Sequence, residues 1–126
     1  METFNLLKEK GYRLTPQRME VVKIVLDKLE KREHPTFNDI VNEVKARMPS
    51  ISASTVYNIL RLLEENGIVV SFENNGRTYY DKAEPHINVV CIDSDKVIDV
   101  EDGELISLFK SKGIRPISIV VKAVCS

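Results

Sequence analysis

An α+β fold, helices first and strands after, is what this 126-residue sequence predicts, on three observations. Apolar residues recur at helical spacing through three segments between positions 16 and 66. The period then changes to that of a hairpin around Glu73-Asn74-Asn75-Gly76. Beyond it, Ile87–Ile92, Lys96–Val100 and Ile117–Val124 read as strands around one helical stretch near Asp102–Lys112.

The first helix is expected to start at Thr15-Pro16, with the hydroxyl as cap and proline in the first turn, and to run to about Leu29. Val21, Val22, Val25, Leu26 and Leu29 form its stripe, and the mixed-charge KLEKRE stretch ends it. Thr36 with Asp39 three residues on resembles a capping box. It opens a second helix whose Phe37, Ile40, Val41, Val44 and Met48 share a face, with Pro49 closing it. Ser52 or Ser54 can cap a third, with Val56, Ile59, Leu60 and Leu63 inward and Gly67 as its stop. Ile68–Phe72 and Arg77–Asp81 then form the arms of the hairpin. Three helices and a hairpin are the winged-helix order.

The expected organisation is therefore a winged-helix DNA-binding domain over 1–80, a hinge over 81–85 and a small α/β dimerisation domain over 86–126. The apolar run from Ile117 to Val121, with Val124, is too long for a free surface, so a second copy of the chain is expected to cover it.

Composition narrows the function classes. With 43% hydrophobic and 29% charged residues the chain reads as globular, and no apolar run approaches the roughly 20 residues that cross a bilayer. The start METFNLLKEK lacks a secretion-signal pattern, so the cytoplasm is the expected compartment and no membrane partner is expected. A formal charge of −1 excludes wholesale phosphate binding. Positions 1–81 hold 12 basic and 12 acidic residues, so any contact with double-stranded DNA must use one local face.

That face is the polar side of the third helix. Ser54, Tyr57, Asn58 and Arg61 project together, with Thr55 beside them, as donors and acceptors that a major groove can receive. Arg13, Arg18 and Arg77 are candidate phosphate or minor-groove contacts. A second constellation uses the only two histidines, His34 and His86, with Asp81 and Asp99. Imidazole with carboxylate suits iron, zinc or manganese, and donors from a linker, a hinge and a strand could clamp the two halves together. No nucleophile stands at a recognisable spacing from a base and there is no phosphate-binding glycine loop, so an enzyme is not expected.

The stretches GYRLTPQR, HPTFNDI, SASTVYNILRLLEENGI and PHINVVCIDSDKVIDV resemble the ferric uptake regulator family in order, from about Gly11 to Cys125. The resemblance implies a dimeric metal-responsive repressor of AT-rich palindromes with one divalent ion per subunit. By position it implies His34, Asp81, His86 and Asp99 as ligands, Tyr57 as a base-contacting residue and Arg13 as a minor-groove contact. Aspartate at 99 is closer to the peroxide-sensing branch, which implies oxidation at His34 or His86 as a signal.

Two departures from the family pattern stand out. Asn88 replaces the second histidine of a His-x-His pair, which brings an oxygen donor into the set and moves selectivity toward manganese or iron(II), or weakens metal control altogether. The family's structural zinc uses two Cys-x-x-Cys pairs, whereas this chain has only Cys91 and Cys125, so a structural zinc held by four thiolates is not expected. The two cysteines are expected as free, buried apolar residues on neighbouring strands, with a redox pair as the alternative.

Overall fold

The computed structural model describes residues 2–84 and 86–126; Met1, and Pro85 of the expected hinge, lie outside the described residues. The chain forms α1 (Glu2–Glu9), α2 (Pro16–Glu30), α3 (Phe37–Arg47), α4 (Ala53–Glu65), β1 (Val69–Asn74), β2 (Arg77–Lys82), β3 (Ile87–Cys91), β4 (Val97–Val100), α5 (Gly103–Ser111) and β5 (Ile119–Ala123).

Each of α2, α3 and α4 starts where a side chain satisfies free amides. Thr15 Oγ1 accepts from Arg18 N at the start of α2, ahead of Pro16. Thr36 and Asp39 form a reciprocal capping box on α3. Of the two serine candidates for α4, Ser52 is the cap, accepting from Thr55 N at 3.1 Å. The helices bury Val21, Val22, Ile24, Val25, Leu29, Ile40, Val44, Val56, Leu60 and Leu63 in one core. Helix α1 was not expected from the sequence; it adds Phe4 and Leu7 to that core, and two inward residues in eight are too few to register as a period.

Strands β1 and β2 pair antiparallel from Val69↔Lys82 to Asn74↔Arg77. The ladder runs further than expected and leaves only Asn75 and Gly76 as the turn, both at positive φ (52° and 73°), the backbone that an Asn-Gly pair suits. A bridge between Thr36 and Tyr79, with Tyr80 N donating to Pro35 O at 2.9 Å, sews the α2–α3 connection onto this hairpin.

The second sheet has order β4-β3-β5, with β3 antiparallel to β4 and parallel to β5 after a crossover through α5. Phe72 and Tyr79 of the hairpin stack at 5.8 Å and pack with Val90 of β3, joining the two sheets. The rest of this half is different in kind: Ile98, Val100, Leu108, Ile117, Val120, Val121 and Val124 are all exposed, and α5 buries none of its residues.

The cysteines differ from expectation. Cys91 and Cys125 are bonded to each other, with Cys91 buried and Cys125 exposed. Register explains the meeting. Cys91 closes β3 opposite Ala123 of β5, and Cys125 follows two residues later, its backbone N donating to Asp93 Oδ1 at 3.1 Å.

Candidate metal centre and nucleic-acid interface

Five polar side chains from both halves converge beside the Phe72–Tyr79 stack. His34 lies between α2 and α3 at φ 51°, a conformation a non-glycine residue holds only when its surroundings fix it. Pro35 O is tied to Tyr80 N, and the imidazole stands edge-on to Phe72 at 6.3 Å. The ring is thereby aimed at the second sheet, where its Nε2 lies 2.6 Å from Asp99 Oδ1 and 3.0 Å from Asn88 Oδ1. Asn88 and Asp99 face each other across the β3–β4 ladder, which is why both reach the same point.

Asp81, near the end of β2, is 2% exposed. Its Oδ1 accepts from Lys82 N at 2.8 Å, and its Oδ2 lies 2.7 Å from His86 Nε2 and 3.6 Å from His34 Nε2. His86 Nε2 is in turn 3.6 Å from Asp99 Oδ1. Donor atoms of His34, Asp81 and Asp99 all fall within 4.8 Å of one another.

The donor set fits a divalent cation. Ligand atoms about 2.1 Å from an ion stand roughly 3 to 3.5 Å apart in octahedral or tetrahedral arrangements, close to the spacing of these contacts. Two carboxylates this enclosed call for a compensating positive charge. His86 presents Nε2 to the cluster, while its buried Nδ1 finds no hydrogen-bond partner among the described residues. With two imidazoles, two carboxylates and an amide oxygen, the set is richer in hard oxygen donors than an all-nitrogen or thiolate site.

Around the centre, Arg32 reaches Glu84 at 3.0 Å and Glu101 at 3.3 Å, and Lys82 pairs with Glu30 and Glu84. The Glu30 carboxylate raises the Lys82 ammonium above its usual range, keeping it charged.

The candidate reading face is on α4. Tyr57 is 46% exposed and Asn58 and Arg61 are exposed, the guanidinium of Arg61 lying 3.3 Å from Glu65 one turn on. Ser54 is exposed at the helix start and meets Ser52 Oγ at 3.1 Å. Thr55 and Asn58 share a groove of about 520 Å³ with Arg13 and Arg18, and Arg18 Nη1 donates to Arg13 O at 2.8 Å. Arg77 does not line that groove; it opens β2 beside the start of α3, near Thr36 and Asp39.

Sequence reasoning missed Phe37 as a site residue, having assigned it to the core. It is only partly buried and meets the Tyr57 ring edge-on at 6.0 Å and 77°, a contact that supports the base of the exposed tyrosine. The signal was a large aromatic at the end of an apolar stripe, which spacing alone cannot distinguish from a core residue. Tyr80, buried in the helical core, has its hydroxyl pushed up to about 12 by burial, with Glu64 and Tyr57 adding to the effect.

A family model described as the ferric uptake regulator family matches residues 9–115. A ferric uptake regulation protein homolog of Archaeoglobus fulgidus is 33% identical over 115 residues, 90% of this chain and 87% of that protein. The crystal structure of the Campylobacter jejuni peroxide stress regulator superposes with TM-score 0.69 at 34% identity, covering 100% of this chain and 98% of the other. The ferric uptake regulator of Pseudomonas aeruginosa, solved with manganese, matches with TM-score 0.75 over 100% of this chain and 99% of its own; at 21% identity that is a likeness of fold.

Proposed function

This chain belongs to the ferric uptake regulator family of metal-responsive transcriptional regulators, and on that premise we propose that it represses transcription as a homodimer on AT-rich palindromic DNA when one divalent ion is bound per subunit. The members of this family are regulators and not enzymes. We assign His34, Asp81, His86, Asn88 and Asp99 as the ligands. The carrying observation is that donor atoms of His34 from the α2–α3 connection, Asp81 from the end of β2 and Asp99 from β4 lie within 4.8 Å of one another, with Asn88 Oδ1 3.0 Å from His34 and His86 Nε2 2.7 Å from Asp81.

A bound cation supplies the positive charge that lets two enclosed carboxylates and two imidazoles share that point. The residues do the rest. His34 hangs on the segment that leads directly into α3, so holding its ring against Asp99 fixes the three-helix body relative to the second sheet. With a second copy attached to that sheet, the same restraint sets the spacing of two α4 helices, and a palindrome is read only at the separation of successive major grooves. Tyr57, Asn58 and Arg61 then meet base edges, with Ser54 and Thr55 at the helix start and Arg13, Arg18 and Arg77 against the backbone or minor groove. The homodimer is supported by the exposed apolar residues of β4, α5 and β5 and by the open edge of β5. The oxygen donor of Asn88 moves the selectivity of the set toward manganese or iron(II), relative to a site with imidazole in its place.

Titration of a labelled AT-rich palindromic duplex, with chelator and then with manganese, iron(II) or zinc, tests this reading. Wild-type protein is expected to bind at least about tenfold more tightly with metal, within the usual range of allosteric coupling. His34→Ala is expected to lose that response while keeping a cooperative thermal transition. If His34→Ala retains the full metal response, the clamp is wrong. If wild-type affinity is the same with chelator and with every metal, the chain binds DNA without metal control.

A further inference from the structure

The turn between β3 and β4 closes the far end of the hairpin that carries Asn88 and Asp99, and the metal centre makes no use of it. It is gripped from two sides. From the first sheet, Asn74 Nδ2 donates to Cys91 O at 3.3 Å and Ser94 O at 3.4 Å, and Asn75 Nδ2 donates to Ser94 O at 3.2 Å and Asp95 Oδ1 at 2.8 Å. The tip of the β1–β2 wing is therefore docked on this turn, and Asn74 is buried there, 7% exposed, with its amide donors directed at those carbonyls. From the other side the tail of the chain holds the same turn. Cys125 is bonded to Cys91, Cys125 N donates to Asp93 Oδ1 at 3.1 Å, and Ile92 N donates to Ala123 O at 2.9 Å.

Cys91 thus belongs to both grips at once, its carbonyl accepting from the wing and its sulfur bonded to the tail. A buried donor such as Asn74 stays buried only while its acceptors stay in place. We propose that Cys91–Cys125 is a redox modification site: reduction by a dithiol frees the turn, undocks the wing and lowers metal-dependent DNA affinity. Only the last step rests on the reading of the chain as a DNA-binding regulator.

The chemistry balances as thiol–disulfide exchange. A thiolate of the dithiol attacks Cys125 Sγ, on the exposed residue of the pair, the sulfur–sulfur bond breaks, and Cys91 leaves as a thiolate that takes up a proton. The second thiol of the reductant attacks the mixed disulfide and releases Cys125 as a thiol. Two electrons and two protons pass to the protein, and the dithiol becomes a disulfide. The reverse exchange restores the staple.

The first measurement uses the full chain without metal or DNA. Amide hydrogen exchange across residues 74–77 and 91–96 is compared in oxidised protein and in protein reduced anaerobically with dithiothreitol. Reduction is expected to speed exchange there on the order of fivefold, while the α2–α4 core is unchanged. The second measurement uses the palindromic duplex at saturating manganese, where the reduced form is expected to bind about five- to tenfold more weakly, the lower end of typical coupling between sites.

Asn74→Ala combined with Asn75→Gly removes every one of these side-chain donations without touching sulfur, and glycine keeps the positive φ at position 75, so this variant is expected to bind at the weaker level and to lose most of the redox response. The proposal is overturned if maleimide labelling finds two free thiols in air-oxidised protein, or if exchange over 74–77 is the same in both redox states. Faster exchange in a chain that binds the duplex in neither state would uphold the staple and refute the regulator reading.

Discussion

The two halves of the chain answer their apolar residues in different places. Helices α1 to α4 turn theirs inward on one another, and Leu7, Val21, Val22, Val44, Val56, Leu60 and Leu63 are each at 0% exposure. The second sheet has a buried centre in Val90 and Cys91, yet Ile98, Val120 and Val121 on its two flanking strands are around 40% exposed, and Val124 is 66% exposed. The first half is stabilised by its own packing. The second is tied by a disulfide at one end and by the five-residue cluster at the other, and the dimer proposed above would cover its exposed apolar residues. A half built this way would respond to what it binds, because a bound ion and a second copy would each add to its stability.

That contrast is broken most readily by truncating the helical core. Leu60→Ala removes a fully buried side chain from α4 and is expected to lower unfolding free energy by about 3 kcal/mol, as such cavities do. Val120→Ala, on the exposed edge strand, should cost the isolated subunit under about 0.5 kcal/mol. Urea unfolding at a concentration where the protein is monomeric compares them, and equal losses would mean that the two halves are not built differently.

Next in size is the expected effect of Val121→Lys. If the proposed dimer forms through β5, a charge in the middle of that strand should shift it to monomer at micromolar concentration, with little change in the fold of each subunit. Sedimentation velocity reads the outcome directly. A variant that sediments like the wild type would move the dimer contact away from β5.

The same contrast decides what was legible in the sequence. Stripes such as Val56, Ile59, Leu60 and Leu63 announce α4 because their partners lie within the chain at helical spacing, and caps such as Thr36 with Asp39 mark the ends by local chemistry. Convergence of the five polar residues is a tertiary fact. Positions 34, 81, 86, 88 and 99 have no common period, and residue types plus a family resemblance were needed to group them before the sheets placed them together. The disulfide was misjudged because compartment and cysteine count argue about populations, while the parallel register of β3 and β5 brings these two sulfurs together. Docking of Asn74 and Asn75 was hidden for another reason: an Asn-Gly turn explains itself locally, and nothing in it signals that the side chains are also used across the interface.

The smallest effect sharpens the metal end of the comparison. Asn88 contributes an amide oxygen 3.0 Å from His34 Nε2, from a position on β3 that is 1% exposed and faces Asp99 across the ladder. Replacing it by histidine exchanges a hard oxygen for an imidazole nitrogen, which suits zinc better than manganese. Asn88→His is therefore expected to raise zinc affinity relative to manganese by about tenfold, or roughly 1.4 kcal/mol, without altering the helical core. Competitive metal titration measures the ratio, and the wild-type chain should show a zinc-to-manganese affinity ratio about tenfold below that of the variant. A ratio unmoved by the substitution would place Asn88 outside the coordination shell, where its amide would serve only to orient His34. The ion would then be held by two imidazoles and two carboxylates, a set whose selectivity zinc and manganese would contest more evenly.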